Sequence, residues 1–380
     1  MSIKIAFVVN SSAFFCSHFI TLARWGRDRG YNVHIISGDK DKLSLLEGEG
    51  FQTHYVPISR KGMSVLSELR AMWLLYSIIN RYRFDLVHAF TIKPVVYVSL
   101  ILRFFVSRIK GVYSITGMGS LSLSDSLVKK IFWRVVEVLL RVSFAKDDSA
   151  VIFENSDDLN HFVNKKITCK NKSHLVNGAG VDTNILIPVA RAGRRKKIIV
   201  VFLARLLKDK GIMEFANAAK ILNDKKVNVT MQIVGSIDEN NISSINKEQL
   251  ASILKITNVE YLGFRNDIHN VYSFADIACL PSYREGLPKS LIEACSCGLP
   301  IITTDTPGCR QIIDEEFKNG LIVPIRNSVA LANAIEKLVS DSELREKYGA
   351  NSRYLAVHKY DFSVILSSFC VVYEAVLRQK

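Results

Sequence analysis

Two carboxylates lie close together in the C-terminal half of the sequence, where they could serve the same chemistry. Glu285 lies just before, and Glu293 within, the segment LPKSLIEACSCG, in which Pro288 suits the first turn of a helix. An ionised carboxylate among apolar residues costs several kcal/mol unless it is paired or hydrogen-bonded. We therefore expect Glu293 to bind either a basic side chain, such as Arg205, or the hydroxyl groups of a sugar. Sugar hydroxyls would suit Glu285 as well.

Two cations lie upstream, in the segment ARLLKDKGI that directly follows the apolar run KIIVVFL. The run predicts a strand, so Arg205 leaves the strand end and Lys210 lies at the start of the next helix. A helix N-terminus favours negative charge, and two nearby cations could bind a diphosphate there. The alternatives are that both cations are solvated surface charges, and that Glu285 only interacts with the dipole of the helix that follows it.

Metal binding is a weaker interpretation of the acidic and sulfur side chains. Asp39 and Asp41 form the pair D-x-D, which can hold Mg²⁺ on a diphosphate, but they lie in the first half of the chain and we interpret them as a solvated turn. The seven cysteines lack the paired C-x-x-C spacing of zinc sites and do not indicate a disulfide framework. We expect no bound metal.

The charge balance narrows the classes of partner. The 380 residues carry 50 Lys and Arg against 36 Asp and Glu, a net charge of +14. This excess favours an anionic partner such as a nucleotide, a phospholipid surface or nucleic acid. The basic residues are dispersed and no DNA- or RNA-binding motif occurs, so we expect no nucleic acid. The N-terminal run IKIAFVV predicts a strand and not a signal peptide, which favours a cytoplasmic protein, and the apolar stretch 94–106 is too short to span a membrane.

Short runs rich in Val and Ile alternate with helical patterns, which predicts an α/β protein with parallel sheets. Continuous apolar runs are typical of strands that are covered on both faces. The predicted strands are 3–9, 32–37, 51–57, 85–90, 111–115 and 150–154 in the first half and 197–204, 229–235, 259–263, 276–282, 299–305 and 320–324 in the second. The predicted helices are 17–29, 64–82, 94–108, 125–146 and 156–165, with 328–340, 342–357 and 362–378 at the C-terminus.

The pattern breaks at 177–197, where glycines, a proline and a basic cluster predict a linker. The length of the chain also suits two domains. We therefore expect two Rossmann-like, doubly wound parallel-sheet domains that face a cleft. In such sheets ligands bind at the carboxyl ends of the strands.

Several blocks of the sequence together resemble a known family. The E-x(7)-E spacing of Glu285 and Glu293, with Arg205 and Lys210 upstream, resembles the retaining glycosyltransferases of family four, which have the GT-B fold. The matching blocks follow the expected order along the chain: DLVHAFTIKP, SITGMGS, NGAGVDT, VEYLGFRNDI, CLPSYREGLPKSLIEACSCGLPII, TDTPGC and KNGLIVP. ITGMGS and NSSAFFCSHF look most like bacterial enzymes that extend undecaprenyl-diphosphate-linked glycans, including α-1,3-N-acetylgalactosaminyltransferases.

The resemblance implies roles for residues of the second half. Arg205 and Lys210 would bind the donor diphosphate and, with Glu285 on the donor sugar, would form the catalytic set. Glu293 would bind the ribose hydroxyls. Further donor contacts would come from backbone groups around Gly286, Leu287 and Lys289 and from the loop Gly263, Phe264 and Arg265 beside the base. Two fixed cations can stabilise a departing nucleoside diphosphate, so we expect neither a metal nor a cofactor.

The acceptor would bind the first domain, where the sequence also departs from the family. Asn10-Ser11-Ser12 stands where many members have a Gly-Gly pair, and this segment would shape the acceptor pocket. The other implied acceptor contacts are His18, which opens the first helix, and Thr116 and Gly117 at a strand end. Gln311 replaces a carboxylate that is common in the family, which weakens any role at that position.

On this resemblance, residues 1–187 form the acceptor-binding domain, 188–360 bind the nucleotide sugar, and 361–380 form a helix that packs back on the first domain. The enzyme would move a sugar, an N-acetylhexosamine, from a UDP-sugar to a polyprenyl-diphosphate-linked saccharide with retention. It would act in bacterial surface-glycan or glycoprotein assembly, such as O-antigen synthesis, as a peripheral protein on the inner face of the cytoplasmic membrane.

Alternatives stay open at three points. The helix 125–146 mixes large apolar and basic residues, so it lies either on an anionic bilayer or in the core with a basic outer face. His88, at a strand end, is interpreted as a core residue, although it could instead face the cleft. For the whole chain, a UDP-sugar epimerase or hydrolase and a non-catalytic binder of membranes or nucleic acid are the competing functions.

Overall fold

The structure is a computed structural model that describes residues 2–58, 64–118, 127–146, 148–189, 197–239, 241 and 243–378. Parts of three predicted segments lie outside these ranges: residues 119 and 120 of SITGMGS, 125 and 126 of the helix 125–146, and 190–196 of the linker. The chain forms two compact units, Met1–Ala179 with Ser363–Lys380, and Gly180–Phe362. The sequence placed the boundaries at 187/188 and 360/361.

The first unit is built on a parallel sheet of seven strands in the order β3-β2-β1-β4-β5-β6-β7. The strands are β1 Lys4–Val9, β2 Asn32–Ser37, β3 Gln52–Tyr55, β4 Leu86–Phe90, β5 Lys110–Ile115, β6 Ser149–Phe153 and β7 Ser173–Leu175. The central strands are buried on both faces, as their continuous apolar runs predicted. The short edge strand β7 was not predicted.

Helices cover both faces of this sheet. They are α1 Ser12–His18, α2 Ile20–Asp28, α3 Leu43–Gly48, α4 Val65–Tyr82, α5 Ile92–Phe104, α6 Leu127–Phe144, α7 Ser156–Asn164 and, from the C-terminus, α15 Phe362–Arg378. Side chains of α4, α5, α6 and α7 share one apolar core, and those of α1, α2, α3 and α15 share the other. The sheet is therefore the middle layer of a three-layer unit.

The prediction of one helix over 17–29 is wrong. The Ser11 side chain accepts a hydrogen bond from the Phe14 N–H and caps an earlier start, so α1 begins at Ser12. Phe19 interrupts the helical backbone, and α2 begins at Ile20. His18 is therefore the last residue of α1 and does not open a helix.

The second unit is a parallel sheet of six strands in the order β10-β9-β8-β11-β12-β13. The strands are β8 Ile198–Leu203, β9 Val229–Val234, β10 Glu260–Tyr261, β11 Ile277–Leu280, β12 Ile301–Thr304 and β13 Gly320–Val323. Its helices are α8 Ile212–Asp224, α9 Lys247–Thr257, α10 Ile268–Phe274, α11 Lys289–Ser296, α12 Cys309–Ile312, α13 Ser328–Ser340 and α14 Ser342–Leu355. The doubly wound, parallel-sheet prediction is confirmed in both units.

The strand order of each sheet reverses at one point, between β1 and β4 in the first unit and between β8 and β11 in the second. In doubly wound sheets, ligands bind beyond the carboxyl ends of the strands at such a point. In the second unit, the loops that follow β8 and β11 carry the two predicted cations and Glu285. The topology alone therefore brings these segments to one edge of the sheet.

The C-terminal helix packs on the first unit. The Tyr373 hydroxyl of α15 lies 2.6 Å from Nδ1 of His88 on β4, and Nε2 of His88 lies 2.7 Å from the Ser114 hydroxyl. Burial lowers the pKa of His88 well below its usual value, so this imidazole is neutral. His88 has the core position that the sequence favoured. In the described part of the chain, no helix combines the length and apolar character needed to cross a bilayer.

Candidate active site

The loops after β8 and β11 are in contact because position 211, at the end of the first loop, is a glycine. Gly211, which precedes α8, has a φ of +75°, and a Cβ at this position would lie 2.0 Å from the carbonyl oxygen of Pro281. Only glycine allows both this backbone conformation and this approach. Lys210, which the sequence placed at the start of the helix, lies in a short 3₁₀ turn just before Gly211, and α8 itself begins at Ile212.

Hydrogen bonds from the second loop fix this contact. The Tyr283 N–H and the Ser282 hydroxyl both donate to the Asp209 carbonyl, at 2.8 and 3.0 Å. The Thr304 hydroxyl, at the end of β12, donates in turn to the Ser282 carbonyl. The backbone that leads to Glu285 is therefore held by the two neighbouring strand ends.

These contacts bring Lys210 and Glu285 together. The Lys210 ammonium donates a hydrogen bond to Oε1 of Glu285, and the two side chains are only 20% and 11% exposed. Glu285 thus has a specific cationic partner, and the alternative that it only interacts with the helix dipole is wrong. Lys210 is not a solvated surface charge either. Attraction between two charges is stronger in such a partly buried site than at an open surface.

Glu293 also has a cationic partner, but not the one considered from the sequence. Its carboxylate lies 3.4 Å from the Lys289 ammonium, one turn earlier in α11, and the Glu293 side chain is 14% exposed. Burial raises the pKa of Glu293, and the Lys289 ammonium partly opposes this rise. A carboxylate has about four acceptor positions. One ion pair at this distance leaves capacity for hydroxyl donors.

Arg205 pairs elsewhere, so its proposed pairing with Glu293 is wrong. The Arg205 guanidinium donates to Asp238, in the loop after β9, at 2.6 Å. The Leu206 N–H donates to the Ser236 carbonyl of the same loop at 2.9 Å. Arg205 is half-exposed and remains open to an anionic ligand. Its ion pair with Asp238 is separate from the ion pair of Lys210 and Glu285.

The loop Gly263-Phe264-Arg265 also lies at the carboxyl edge of the second sheet and is tied to it by a backbone hydrogen bond. The Gly263 carbonyl accepts a hydrogen bond from the Gly235 N–H at 2.9 Å, which connects the loops after β9 and β10. The Phe264 ring is exposed, whereas Arg265 forms a bidentate pair with Asp267 at 2.7 and 2.5 Å. The hydrogen bonds from Arg265 hold the pKa of Asp267 well below its usual value.

The loop after β12 supports the backbone around Gly286. Gly308 has a φ of +78°, and a Cβ there would lie 2.2 Å from the Gly286 carbonyl oxygen. The Glu285 N–H donates to the Pro307 carbonyl at 3.4 Å. Leu287 is buried, and Pro288 precedes the first residue of α11, Lys289.

The sequence interpretation missed a polar cluster next to the Glu285 loop, formed by Tyr283, Glu214 and Arg326. The Tyr283 hydroxyl donates to Glu214, in the first turn of α8, at 2.7 Å, and the Arg326 guanidinium lies 4.9 Å from the Tyr283 ring centroid. Burial and the bond to Glu214 raise the pKa of Tyr283, so its phenol stays protonated. In the sequence, Tyr283 directly precedes Arg284 and Glu285, and this position was the signal that could have identified it. Tyr283 is a positioning residue for this loop.

The residues predicted for the acceptor lie in the first unit. Asn10 follows β1, and Thr116 and Gly117 follow β5, so these three lie at the carboxyl edge of the sheet. Within the described part of the chain, the buried Oδ1 of Asn10 has no hydrogen-bond partner. His18 lies on the Phe14 ring, with centroids 4.4 Å apart. Gln311, on α12 of the second unit, accepts a hydrogen bond from the Tyr360 hydroxyl through its backbone carbonyl at 3.4 Å.

The D-x-D pair fits a solvated turn only in part: Asp41 is exposed in a turn, whereas Asp39 is half-buried. The N–H and hydroxyl of Ser12 both donate to the Asp39 carboxylate, the N–H at 2.9 Å. Burial alone would raise the pKa of Asp39, but these hydrogen bonds hold it below its usual value. Asp39 thus anchors the start of α1. Among the residues that the structure describes, no group of three or more His, Cys, Asp or Glu side chains could hold a metal ion.

Two family models match the chain. Residues 4–155 match the glycosyl transferase 4-like family, and residues 188–354 match the glycosyl transferases group 1 family. The chain belongs to these glycosyltransferases. The resemblance based on the Glu285 and Glu293 motif and its companion blocks is therefore confirmed.

The chain is similar to bacterial enzymes over most of its length. It is 25% identical, over 99% of both chains, to the Campylobacter jejuni N,N'-diacetylbacillosaminyl-diphospho-undecaprenol α-1,3-N-acetylgalactosaminyltransferase. It is 23% identical to the Escherichia coli UDP-Gal:α-D-GlcNAc-diphosphoundecaprenol α-1,3-galactosyltransferase, over 83% of this chain and 81% of the relative. The crystal structure of Anabaena HepE in complex with UDP superposes with a TM-score of 0.77 at 19% identity, over 98% of this chain and 100% of HepE. The GT-B fold prediction is confirmed.

Proposed function

We propose that this glycosyltransferase moves an N-acetylhexosamine from a UDP-sugar to a polyprenyl-diphosphate-linked saccharide, with retention at the anomeric carbon and without a metal or cofactor. The observation that carries the proposal is the ion pair of Lys210 and Glu285 beyond the carboxyl ends of β8 and β11. It supplies one cation for a phosphate and one carboxylate for sugar hydroxyls at the point of the sheet that suits a nucleotide.

Lys210 can serve a phosphate while it contacts Glu285. An ammonium has three N–H donors, and the described contact with Glu285 uses one of them. Because the carboxylate already orients the ammonium, the charge is in place before the donor binds, as electrostatic stabilisation of a leaving group requires. Arg205 would supply a second cation once a diphosphate competes with Asp238.

The other donor contacts follow from the same edge of the sheet. Glu293 would accept hydrogen bonds from the ribose hydroxyls, with Lys289 limiting the cost of its buried charge. Backbone groups of Gly286 and Leu287 would bind the sugar phosphate. The exposed Phe264 ring, with Gly263 and Arg265, would lie beside the base.

The proposed reaction transfers the sugar from the diphosphate to the acceptor oxygen and needs no separate base. The bond between the sugar C1 and the departing phosphate oxygen breaks, and the acceptor oxygen bonds to C1 on the same face. The acceptor proton passes to the departing phosphate oxygen. Lys210 and Arg205 would stabilise the negative charge that develops on the diphosphate.

The proposed acceptor class rests on the two relatives named above, both of which act on diphosphoundecaprenol-linked sugars. Asn10, His18, Thr116 and Gly117 would contact this acceptor. The face of α6 supports a position on the inner face of the membrane, since Ile131, Phe132 and Val135 are exposed while Trp133 and Val136 pack inward. The outer face of this helix is thus apolar as well as basic.

A panel of UDP- and GDP-sugars tests the proposal. Each donor is incubated with and without a lipid-diphosphate-linked saccharide, and the products are separated and their anomeric configuration determined by NMR. We expect transfer from a UDP-N-acetylhexosamine with retained configuration, unaffected by EDTA. Conversion of the UDP-sugar without any acceptor would instead support an epimerase or hydrolase.

A further inference from the structure

One helical layer of the first unit carries an unusual amount of exposed apolar surface. Helices α4, α5 and α6 lie side by side on one face of the sheet, with α5 in the middle. The large exposed side chains are Val65, Leu66, Leu69 and Trp73 on α4, Phe104 and Phe105 at the end of α5, and Leu127, Val128, Ile131, Phe132, Val135, Val138 and Val142 on α6. We call this set the apolar layer. Large exposed apolar side chains gathered on one helical layer are a mark of an interaction site.

The helical periodicity separates the exposed side of α4 from its core side. Leu69 and Trp73 are one turn apart on the outer side, whereas Ala71, Leu75 and Ile79 pack into the core. The Trp73 indole is 64% exposed. Core packing therefore does not account for the outer apolar residues of α4.

The second helix has the same two-sided character. On α6, Ile131, Val135 and Val138 follow one another at spacings of three and four residues and are exposed, while Val136 and Leu140 are buried. The two helices thus present apolar stripes outward from the same layer. The turn at the end of α5 adds Phe104 and Phe105 to this surface.

The charges of the three helices have one predominant sign. Their only acidic residues are Glu68 and Glu137, which form ion pairs with Lys93 at 2.6 Å and with Lys165 at 2.8 Å. The basic residues of these helices, beyond Lys93, are Arg70, Arg81, Arg103, Lys129, Lys130, Arg134 and Arg141. Apolar residues among basic ones, with an exposed indole, match the interface of a bilayer that contains anionic lipids.

We propose that the apolar layer lies on an anionic bilayer and that α4, through Trp73, is a membrane anchor separate from α6. This inference deepens the proposed function and rests on it, because a lipid-linked acceptor would be met at such a surface. Two anchors bind more tightly than one, since inserting the second becomes an intramolecular step. Basic side chains beside both helices add attraction to anionic head groups.

The test is vesicle flotation of the full chain with liposomes of phosphatidylethanolamine and phosphatidylglycerol or of phosphatidylcholine alone. One variant carries Leu69→Asp and Trp73→Asp, and a second carries Ile131→Asp and Val135→Asp. The control is Val371→Asp, which alters an exposed apolar residue of α15 on the opposite face of the sheet. We expect each double variant to lose at least about tenfold in binding to the anionic vesicles, and the control to lose less than about twofold.

Tryptophan emission gives a second readout. The chain has three tryptophans, of which Trp73 is the exposed one and Trp133 is buried. Anionic vesicles should shift the emission to shorter wavelength, and Trp73→Phe should abolish most of the shift. Unchanged flotation of the α4 variant, or a shift that survives Trp73→Phe, would overturn the proposal. A concentration-dependent dimer that Trp73→Asp dissociates, with vesicle binding unaltered, would also overturn it by assigning the surface to a second copy.

A transfer assay in detergent separates this inference from the proposed function. With a short-chain lipid-diphosphate saccharide, the α4 variant should transfer sugar at the wild-type rate, which would support a role of α4 in membrane binding alone. If the wild-type chain transfers no sugar in this assay, the proposed function fails. Loss of vesicle binding in the α4 variant would still support the membrane anchor.

Discussion

The ammonium of Lys210 contacts the carboxylate of Glu285, although 75 positions separate the two residues in the chain. The strand order places their loops together, and Gly211 lets the first loop approach the Pro281 carbonyl of the second. Neither side chain is fully exposed, and neither is sealed in the core. The pair is therefore a preformed charged site at the edge of the sheet and not an incidental surface contact.

Replacing Glu285 with Gln should lower kcat by about 100- to 1,000-fold, because the amide removes the charge that orients Lys210 and replaces one of the two acceptor oxygens with an NH2 donor. The fold should persist, since the amide is close in size to the carboxylate. Turnover with the preferred donor and thermal unfolding would be measured together. As a control, Glu336→Gln alters an exposed carboxylate that pairs with Lys225, and it should leave kcat unchanged. Wild-type turnover in Glu285→Gln would remove this residue from the site.

Gly211→Ala should disturb the site more than Gly30→Ala, although both glycines have nearly the same backbone conformation, with φ of +75° and +79°. At Gly30 the added Cβ meets nothing within 4 Å, so we expect only the left-handed backbone cost of about 1–2 kcal/mol. At Gly211 the Cβ meets a backbone oxygen at 2.0 Å, which should cost roughly 2–4 kcal/mol in all and displace Lys210. Urea unfolding and turnover of both variants provide the comparison. Equal effects would mean that the loop contact is unimportant.

Glu293→Gln should weaken donor binding without destabilising the protein. Burial raises the pKa of Glu293, so the folded state disfavours the charged carboxylate, and an uncharged amide avoids this desolvation cost. The Lys289 ammonium keeps some access to solvent, which limits the cost of losing its partner. We expect KM for the UDP-sugar to rise by about tenfold and the free energy of unfolding to change by less than about 1 kcal/mol. Kinetics and urea unfolding measure the two quantities. A large loss of stability with normal KM would assign Glu293 to the fold alone.

Stability should fall in mild acid because of a buried histidine in the first unit. Nδ1 of His34 lies 2.9 Å from Nε2 of His54, and burial, with His54 and Lys4 nearby, lowers the pKa of His34 from 6.5 to about 4. A lowered pKa means that the unfolded chain binds the proton more readily, so stability is complete above pH 6.5 and declines as the pH falls toward 4. From His34 alone, the free energy of unfolding should fall by about 2 kcal/mol at pH 5 relative to pH 8.

Urea unfolding as a function of pH would detect this loss of stability. Burial also lowers the pKa values of His54, His88 and His174, so His34→Gln should make the profile shallower without flattening it. An unaltered pH dependence in this variant would contradict the assignment.

The strands and their order of appearance were predictable, because central strands of a parallel sheet must be apolar on both faces. The edge strand β7 was missed, since Ser173, His174 and Leu175 carry no such signal. The division of 17–29 into two helices depends on the Ser11 cap and on Phe19, and the hydrophobic pattern alone does not distinguish one helix from two. Local hydrogen bonds decided these details.

The chemistry of the site was predictable as a set of residue types, but not as a set of pairs. Lys289 and Glu293 are four positions apart, and this helical spacing could have identified the pair from the sequence. The partners of Arg205 and Lys210 come from other loops, and only the strand order and the glycine contacts select Asp238 and Glu285 for them. Pairing across loops is a property of the fold.

Calorimetric titration with UDP tests the central claim most directly, that Lys210, held in place by Glu285, binds the donor diphosphate. The wild-type chain would be compared with Lys210→Ala and with Lys225→Ala, which removes a lysine whose ion pair with Glu336 lies at the surface. We predict that Lys210→Ala raises the Kd for UDP by about 10- to 100-fold, as expected for the loss of a charge-assisted contact, and that Lys225→Ala changes it less than about twofold. Equal affinity of all three proteins for UDP would contradict the account.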